Sequence, residues 1–188
     1  GQQVLWTQIA RLFDAMVSAM RPRGMQQCHR ILRQSRNTLE MFESCWVALR
    51  LGCGWVPTNF RLTPPEVAYL GEASGAVMMI VEADFAAHTD AVRAASPQLQ
   101  HVICIGAPRA GEYAYDALVE QHLGQVSIER PPEGAVRYDD PLWFFYTSGA
   151  TGRPKSPLLT HGQVAFILNN SLANLLPGSG PPACSAAC

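Results

Sequence analysis

The sequence predicts an α/β fold built on a mostly parallel sheet with helices on both faces. Residues 77–81 and 101–105 are apolar runs that flank a helical segment. Strands buried on both faces of a parallel sheet have this continuous apolar character, and their alternation with helices indicates parallel pairing. A third observation is the aromatic run at residues 142–146, which ends abruptly in a loop of hydroxyls and glycines. With 188 residues, 48% of them hydrophobic, the chain is long enough for one domain with a core.

The first helix is predicted over residues 4–20, where apolar side chains recur at three- and four-residue steps. Gly24 is expected to end this segment. Residues 30–35 follow as the first strand. Arg33 places a charge there, where a strand buried on both faces favours Val or Leu. The pattern therefore predicts a strand with one residue out of keeping with it.

The second helix has a start signal at Asn37 and Glu40, which are spaced as a capping box. Gly52 is expected to end this helix, and residues 54–57 to form the next extended segment. The apolar face predicted for the helix consists of Leu39, Phe42, Trp46 and Leu49.

The third helix begins with a second capping box, formed by Thr63 and Glu66 around Pro64, and closes near Gly75. A short helix is predicted over residues 113–123, and residues 130–134 are expected to form a surface loop. Thr160 is the predicted cap of a last helix. The apolar residues of that helix are Val164, Ile167, Leu168, Leu172 and Leu175.

The loop after residue 146 has the composition of an anion-binding site. Its two glycines let backbone N–H groups turn toward one negative charge, and its hydroxyls and lysine add further donors. These groups suit the phosphates of a nucleoside triphosphate. The usual P-loop has four residues between its glycines and Lys directly after the second, so this spacing is different. The loop residues are Thr147, Ser148, Gly149, Ala150, Thr151, Gly152, Arg153, Pro154 and Lys155.

Residues 146–155, YTSGATGRPK, resemble the phosphate-loop signature of the acyl-adenylate-forming superfamily, which includes acyl-CoA synthetases, luciferases and nonribosomal peptide synthetase adenylation domains. Residues 158–161 resemble the strand and helix start that follow this loop in the family. Residues 48–52, 56–59 and 62–66 resemble the early part of the same domain, especially in fatty acyl-CoA ligase-like members. The resemblance covers roughly residues 5–176. It implies that the chain forms the parallel-sheet-rich N-terminal part of the large adenylate-forming domain and that this domain is incomplete here.

The resemblance also implies an activity. Family members activate a carboxylate with MgATP as an acyl-adenylate, release pyrophosphate, and mostly pass the acyl group to a thiol such as coenzyme A. For the complete enzyme this implies ATP, Mg²⁺ and coenzyme A as cofactors, with a carboxylic acid and CoA as partners. The residues that match the phosphate-contacting loop are Thr147, Ser148, Gly149, Ala150, Thr151, Gly152 and Lys155.

Two departures from the family pattern lie near this loop, one at Ala150 and one at Ser156-Pro157, where Gly followed by an apolar residue is usual. Ala150 stands where Thr or Ser is more frequent, which removes one hydroxyl. Pro157 removes a backbone N–H where the loop re-enters a strand. No residue is assigned a catalytic role, because the family's adenine pocket, magnesium-binding acid, acyl pocket and catalytic lysine follow this loop.

We interpret residues 1–176 as a partial AMP-binding (adenylate-forming) domain, and we expect residues 177–188 to be a disordered tail. In this interpretation the chain is an N-terminal fragment of a carboxylate–CoA ligase and is inactive alone, with a natural, truncated or frameshifted ending as open alternatives. The other hypothesis is a non-catalytic nucleotide-binding or partner-binding module made only of these residues. It predicts cooperative folding and an apolar surface patch.

Composition excludes several other classes of function. The net charge of −1, from 14 basic and 15 acidic residues, gives no electrostatic case for nucleic acid or an anionic membrane. No apolar run approaches the length of a transmembrane segment, and no secretory pattern is visible, so a cytoplasmic protein is expected. The six cysteines lack CxxC pairing and zinc-like spacing with histidines, so we interpret them as reduced thiols and expect no metal site. The oligomeric state is not predicted.

A few polar residues remain as minor candidates. Asp139 and Asp140 could serve acid/base chemistry or bind Mg²⁺, but adjacent acids before a strand are more often a solvated turn. His161 opens the last helix after the phosphate loop, where a capping or packing role competes with catalysis. His88, His101 and His122 are isolated and are interpreted as structural.

Overall fold

A computed structural model describes residues 5–123, 136–146 and 157–175. Within these ranges the strands alternate with helices along most of the chain. The strands are β1 (Arg30–Gln34), β2 (Gly54–Pro57), β3 (Met78–Glu82), β4 (His101–Ile105), β5 (Tyr113–Ala114), β6 (Pro141–Phe144) and β7 (Leu158–Thr160). The helices are α1 (Trp6–Met20), α2 (Leu39–Leu51), α3 (Pro64–Ser74), α4 (Ala86–Ala95), α5 (Tyr115–His122) and α6 (His161–Leu175).

The described strands form one sheet in the order β5-β4-β3-β1-β2-β6-β7. All neighbouring pairs are parallel except β6 and β7, which run antiparallel. β1 is therefore central, with β2 on one side and β3 on the other. The predicted α/β class and mostly parallel sheet are confirmed.

Helices cover both faces of this sheet, and each face has its own core. Ile31 of β1 belongs to the cluster packed by α1, α2 and α5, whereas Leu32 belongs to the cluster packed by α3 and α4. Both residues are fully buried. β1 is thus buried on both faces, as its apolar character predicted.

The helix boundaries follow the predicted capping signals in most places. Gly24 and Gly52 adopt left-handed backbone conformations after Arg23 and Leu51, and the capping box of Thr63 and Glu66 is present. The predicted boundaries elsewhere were off by a few residues: β3 ends at Glu82, β6 ends at Phe144, and α5 begins only at Tyr115 because β5 pairs with β4. The loop predicted at residues 130–134 and the tail predicted at 177–188 lie outside the described residues.

The prediction for the start and apolar face of α2 was wrong. Thr38, not Asn37, is the N-cap, and its Oγ1 accepts a hydrogen bond from the backbone N–H of Met41 at 3.3 Å. Leu39 and Phe42 remain 43% and 45% exposed. The buried face is rotated away from them and consists of Glu43, Ser44, Val47, Ala48 and Leu51. The chain buries this more polar face because Glu43 and Ser44 have partners inside, Tyr115 and Trp55.

Arg33 is fully buried in the central strand, although its charge is out of keeping with such a position. None of its three guanidinium nitrogens has a hydrogen-bond partner among the described residues. Burial lowers the pKa of Arg33 to about 10, against partial compensation from Tyr115, Glu82 and two glutamates of α2. A buried charge without hydrogen bonds is a large local cost to folding.

Glu43 and Tyr115 lie beside this arginine and form a buried hydrogen bond. The Tyr115 hydroxyl donates to Oε2 of Glu43 at 2.5 Å, while Oε1 has no partner within the part of the chain that the structure describes. Burial, more than any other effect, raises the pKa values of both groups. The link joins α2 to α5 across 72 residues of sequence.

Replacing Tyr115 by Phe is expected to lower the free energy of unfolding by about 1–3 kcal/mol, because the Glu43 carboxylate loses the Tyr115 hydroxyl as a donor in a buried site. Urea unfolding of the 188-residue chain measures this change. Tyr138→Phe is the matched control, since Tyr138 is 75% exposed and should give a change near zero. Equal effects of the two substitutions would contradict a special role for the Tyr115–Glu43 bond.

Candidate site at the carboxyl end of strand β6

The predicted phosphate loop leaves the sheet at the carboxyl end of β6. β6 pairs in parallel with β2 through Trp143 and Trp55, and the chain returns antiparallel through β7. The backbone N–H of Phe145 donates to the carbonyl of Pro157 at 3.0 Å, so the loop departs and returns at adjacent points. The seven predicted contact residues, namely Thr147, Ser148, Gly149, Ala150, Thr151, Gly152 and Lys155, lie outside the described residues, and their roles stay predictions.

A reciprocal cap fixes the start of α6 beside the end of this loop. The N–H of Gln163 donates to Oγ1 of Thr160 at 3.3 Å, and the N–H of Thr160 donates to Oε1 of Gln163 at 3.0 Å. Thr160 was the predicted cap, and its role is confirmed. The amino end of α6 carries a partial positive charge and lies one short strand after residue 157.

The turn before β6 braces the same helix end. Backbone carbonyls of Asp140 and Tyr138 accept hydrogen bonds from His161 and Gly162, at 3.1 and 2.8 Å. Gly162 permits this close approach, because a Cβ there would lie 2.8 Å from the Tyr138 ring. The contact was not predicted from the sequence, although the glycine directly after His161 is a signal consistent with it.

The structure gives Asp140 a structural role. Its Oδ2 accepts hydrogen bonds from Nε2 of Gln27 at 3.0 Å and from the backbone N–H of Arg137 at 2.8 Å. Asp139 is exposed on the turn. Within the described ranges no group of three or more His, Cys, Asp or Glu side chains is arranged to hold a metal ion.

The histidines differ in their surroundings. His161 is half-buried, and its Nε2 has no hydrogen-bond partner among the described residues. Partial burial lowers the pKa of His161 below its usual value, against a smaller raising effect from Asp140, which favours a neutral imidazole at pH 7. The other three candidates each bond a backbone carbonyl through one ring nitrogen, at 2.8–2.9 Å, as structural histidines do: His88, His101 and His122.

The outer side of α6 is apolar and exposed. Phe166, Ile167, Leu168 and Leu172 are 51–68% accessible, and they point in several directions around the helix. A groove of about 470 Å³ runs between α6 and the preceding turn, with Tyr138, Leu159 and Phe166 among its lining residues. Helices that are apolar on most sides are normally covered by other structure. Among the described helices, none combines the length and the hydropathy that a membrane-spanning segment requires.

A parallel α/β sheet with a ligand loop beyond the carboxyl end of one of its strands is a common arrangement among nucleotide-binding proteins. The family model described as "AMP-binding enzyme" matches residues 1–178. The chain therefore belongs to the AMP-binding enzyme family. The match includes the phosphate loop, which agrees with the resemblance seen in residues 146–155.

Individual relatives are ligases that act on carboxylates and CoA, according to their names. An indoleacetate–CoA ligase of Aromatoleum aromaticum is 32% identical over 167 residues, which cover 89% of this chain and 32% of that protein. A long-chain-fatty-acid–CoA ligase of Mycobacterium tuberculosis is 31% identical over 163 residues, covering 86% of this chain and 30% of that protein. The chain thus spans about a third of the length of these relatives.

Solved structures agree on the fold. The anthranilate CoA ligase AuaEII, in complex with anthranoyl-AMP, superposes with a TM-score of 0.82 over 92% of this chain and 33% of that chain, at 21% identity. The N-terminal domain of FACL13 from Mycobacterium tuberculosis gives a TM-score of 0.67 over 84% of this chain and 37% of that one, at 26% identity. The described architecture is that of the N-terminal part of adenylate-forming enzymes.

Proposed function

We propose that this chain is the phosphate-loop part of a carboxylate–CoA ligase. The observation that carries the proposal is the family match through residues 146–155, at a loop that leaves the carboxyl end of β6. The reaction would proceed in two steps. A carboxylate oxygen attacks the α-phosphorus of ATP and displaces pyrophosphate, and the CoA sulfur then attacks the acyl carbon and displaces AMP.

The proposed role of the loop is to hold the pyrophosphate part of ATP. Negative charge builds on the phosphoryl oxygens in the transition state, and donors fixed in advance stabilise it. Lys155 would supply a positive charge, while Thr147, Ser148 and Thr151 would donate through their hydroxyls. The backbone N–H groups of Gly149, Ala150 and Gly152 would complete the set.

The described residues that flank the loop support this proposal. The Phe145–Pro157 hydrogen bond holds the two residues that flank the loop close together, and the Thr160 cap fixes the start of the helix that follows. Mg²⁺ would enter with the nucleotide and neutralise phosphate charge. The described residues offer no ligand set for it, so we assign none. Coenzyme A as the acceptor, and a cytoplasmic location where ATP and CoA are available, belong to the same proposal.

Carboxylate-dependent exchange of pyrophosphate into ATP tests the proposal. Because this chain matches about a third of its relatives, the assay uses a chimera in which residues 1–176 replace the matching third of the Aromatoleum aromaticum ligase. The chimera is expected to retain exchange with indoleacetate at a reduced rate. A soluble, cooperatively folded chimera with no exchange, beside an active parent enzyme, would overturn the proposal.

The alternative, a non-catalytic nucleotide-binding or partner-binding module, is favoured by one observation, the exposed apolar face of α6. An exposed face of this kind commonly marks an interaction site. The same exposed face is expected if, in a longer protein, another part of the same domain packs against α6. Thermal unfolding of the 188-residue chain separates these cases, because a module made only of these residues should unfold sharply, whereas a part of a larger domain should unfold broadly.

The same face leads to a dye-binding prediction. Leu168→Glu is expected to reduce the fluorescence of a bound hydrophobic dye several-fold without lowering the unfolding midpoint, because Leu168 is 57% exposed and buries little on folding. Ala68→Glu is the control, since Ala68 is buried on α3 and its replacement should increase dye binding by unfolding the chain. Unchanged dye binding in Leu168→Glu would show that the dye binds elsewhere.

A further inference from the structure

Two cysteines lie on adjacent backbone segments at the amino ends of the central strands. Arg30 is in register with Gly54 in the β1–β2 pair. Backbone hydrogen bonds extend this pairing toward the amino ends, from Cys28 N–H to the Gly52 carbonyl and from Gly54 N–H to the His29 carbonyl, both at 2.8 Å. In a regular parallel ladder His29 would donate to Gly52, so the bond from Cys28 marks a bulge, which places Cys28 on the segment adjacent to Cys53.

This placement matches the reach of a disulfide. Neighbouring strands lie about 4.8 Å apart. At the bulge, the left-handed backbone of Cys28 interrupts the strand alternation that would otherwise direct the two side chains to opposite faces. Disulfides join Cα atoms that are roughly 4.4–6.8 Å apart. The Cys53 thiol also points toward the turn that carries Cys28, because its Sγ donates to the Gln26 carbonyl at 3.3 Å.

The two thiols differ in access. Cys28 is exposed on the turn before β1, where its φ of +64° is the one positive value among the described non-glycine residues. Cys53 is fully buried. Burial is the main cause that raises the pKa of Cys53 to about 12, and the nearby Cys28 thiol adds to it. An external oxidant thus meets Cys28 first, and only a group already on Cys28 can meet Cys53.

We propose that Cys28 and Cys53 form a redox-responsive dithiol that closes to a disulfide in the presence of a low-molecular-weight disulfide such as oxidised glutathione. The Cys28 thiolate attacks one sulfur of the oxidant, forming a mixed disulfide and releasing one thiolate. Cys53 then loses its proton and attacks the Cys28 sulfur, releasing the second thiol. Two protein thiols are oxidised and one external disulfide is reduced to two thiols.

The bridge would tie the turn before β1 to the start of β2. The bridge would lie at the amino ends of these parallel strands. The proposed phosphate loop follows the carboxyl end of β6, which is the opposite end of the same parallel set. The inference therefore does not rest on the proposed ligase function. The bridged form is expected to unfold at a higher urea concentration, because the link restricts the unfolded chain.

The test separates the two chemical steps. The folded 188-residue chain, with Cys184→Ser and Cys188→Ser, is loaded with glutathione under mildly acidic conditions, excess reagent is removed, and release of glutathione is followed after a jump to higher pH. Release is expected to accelerate about tenfold per pH unit, because the thiolate fraction of Cys53 rises by that factor below its pKa. Peptide mass mapping should then find Cys28 linked to Cys53, with the chain lighter by two hydrogens.

Variants decide the assignment. Cys53→Ser should stop at the mixed disulfide, and Cys28→Ser should take up no glutathione on this turn. Cys45→Ser is the matched control, since Cys45 is a half-buried thiol on α2, and it should behave as the original chain does. A mixed disulfide on Cys28 that persists in the original chain, or a link from Cys28 to a cysteine other than Cys53, would overturn the proposal.

Discussion

Replacing Arg33 by Met is expected to raise the free energy of unfolding by about 1–3 kcal/mol, the approximate cost of a buried polar group that has no hydrogen-bond partner. Arg33 is fully buried and its guanidinium nitrogens have no hydrogen-bond partner among the described residues. A pKa lowered to about 10 means that the folded chain disfavours the charged form by roughly 3 kcal/mol. A methionine side chain is also long and unbranched but carries no charge, so the local cost disappears.

Urea unfolding at pH 7 measures this gain, and Arg36→Met provides the matched control. Arg36 lies two residues after β1, is exposed, and pairs with Glu82 and Asp84 at 2.8 and 2.9 Å. Its loss should not raise the free energy of unfolding, because the buried Glu82 carboxylate would lose the guanidinium that pairs with it. If the Arg33→Met variant is less stable than the original chain, Arg33 has compensating partners.

Glu43 makes this prediction sharper through a double-mutant cycle. With Arg33 present, Glu43→Gln removes a carboxylate that partly compensates the buried guanidinium, so it should destabilise the chain. In the Arg33→Met background the same change should be neutral or stabilising, because the buried Glu43 carboxylate then has no guanidinium beside it, and Gln still accepts the Tyr115 hydrogen bond. The difference between the two effects is the interaction energy of the pair.

The sequence was informative where local chemistry determines structure. Apolar runs buried on both faces are unambiguous for β3 and β4, and a Thr followed three residues later by Glu, with Pro between them, defined the start of α3. Gly52 ended α2 because the helix needs a left-handed residue there. In each of these places the signal lies within a few residues of the feature that it predicts.

The prediction failed where residues that are distant in the sequence determine which face of a helix is buried. α2 buries Glu43 and Ser44 instead of Leu39 and Phe42, because Tyr115 and Trp55 supply hydrogen bonds from other elements. The sequence of α2 itself gives no indication of those two partners. Phe42 instead joins an outer aromatic cluster with Trp6 and Trp46, at centroid distances of 6.3 and 6.0 Å. The apolar residues at helical spacing thus identified a real aromatic cluster. The prediction placed it in the core, whereas it lies on the outer surface of α2.

The candidate site divides in the same way. Its chemistry is local, since hydroxyls, glycines and Lys155 within about ten residues suffice to predict a phosphate loop. The contacts that position the segments flanking the loop are not local in the sequence. The brace from Tyr138 to Gly162 and the link from Gln27 to Asp140 depend on the tertiary fold, the latter across 113 residues.

Replacing Lys155 by Ala is expected to slow carboxylate-dependent ATP–pyrophosphate exchange by about 10²–10³-fold, the effect of removing one preorganised group that stabilises transition-state charge. The assay uses the chimera described above. In the proposed function Lys155 supplies the positive charge of the phosphate loop. The substitution should leave thermal unfolding unchanged, because Lys155 is predicted to contact the nucleotide and not the core.

Arg153→Ala is the matched control, since Arg153 carries the same charge two residues earlier in the loop but matches no phosphate-contacting position of the family. Its exchange rate should stay within about threefold of the chimera, because a charge that does not contact the phosphates contributes little in solvent. Lys155→Arg is the second control: it keeps the charge but changes the geometry, so it should recover part of the rate. If Arg153→Ala and Lys155→Ala slow exchange equally, the loop acts through its net charge, and Lys155 has no specific position against the phosphates.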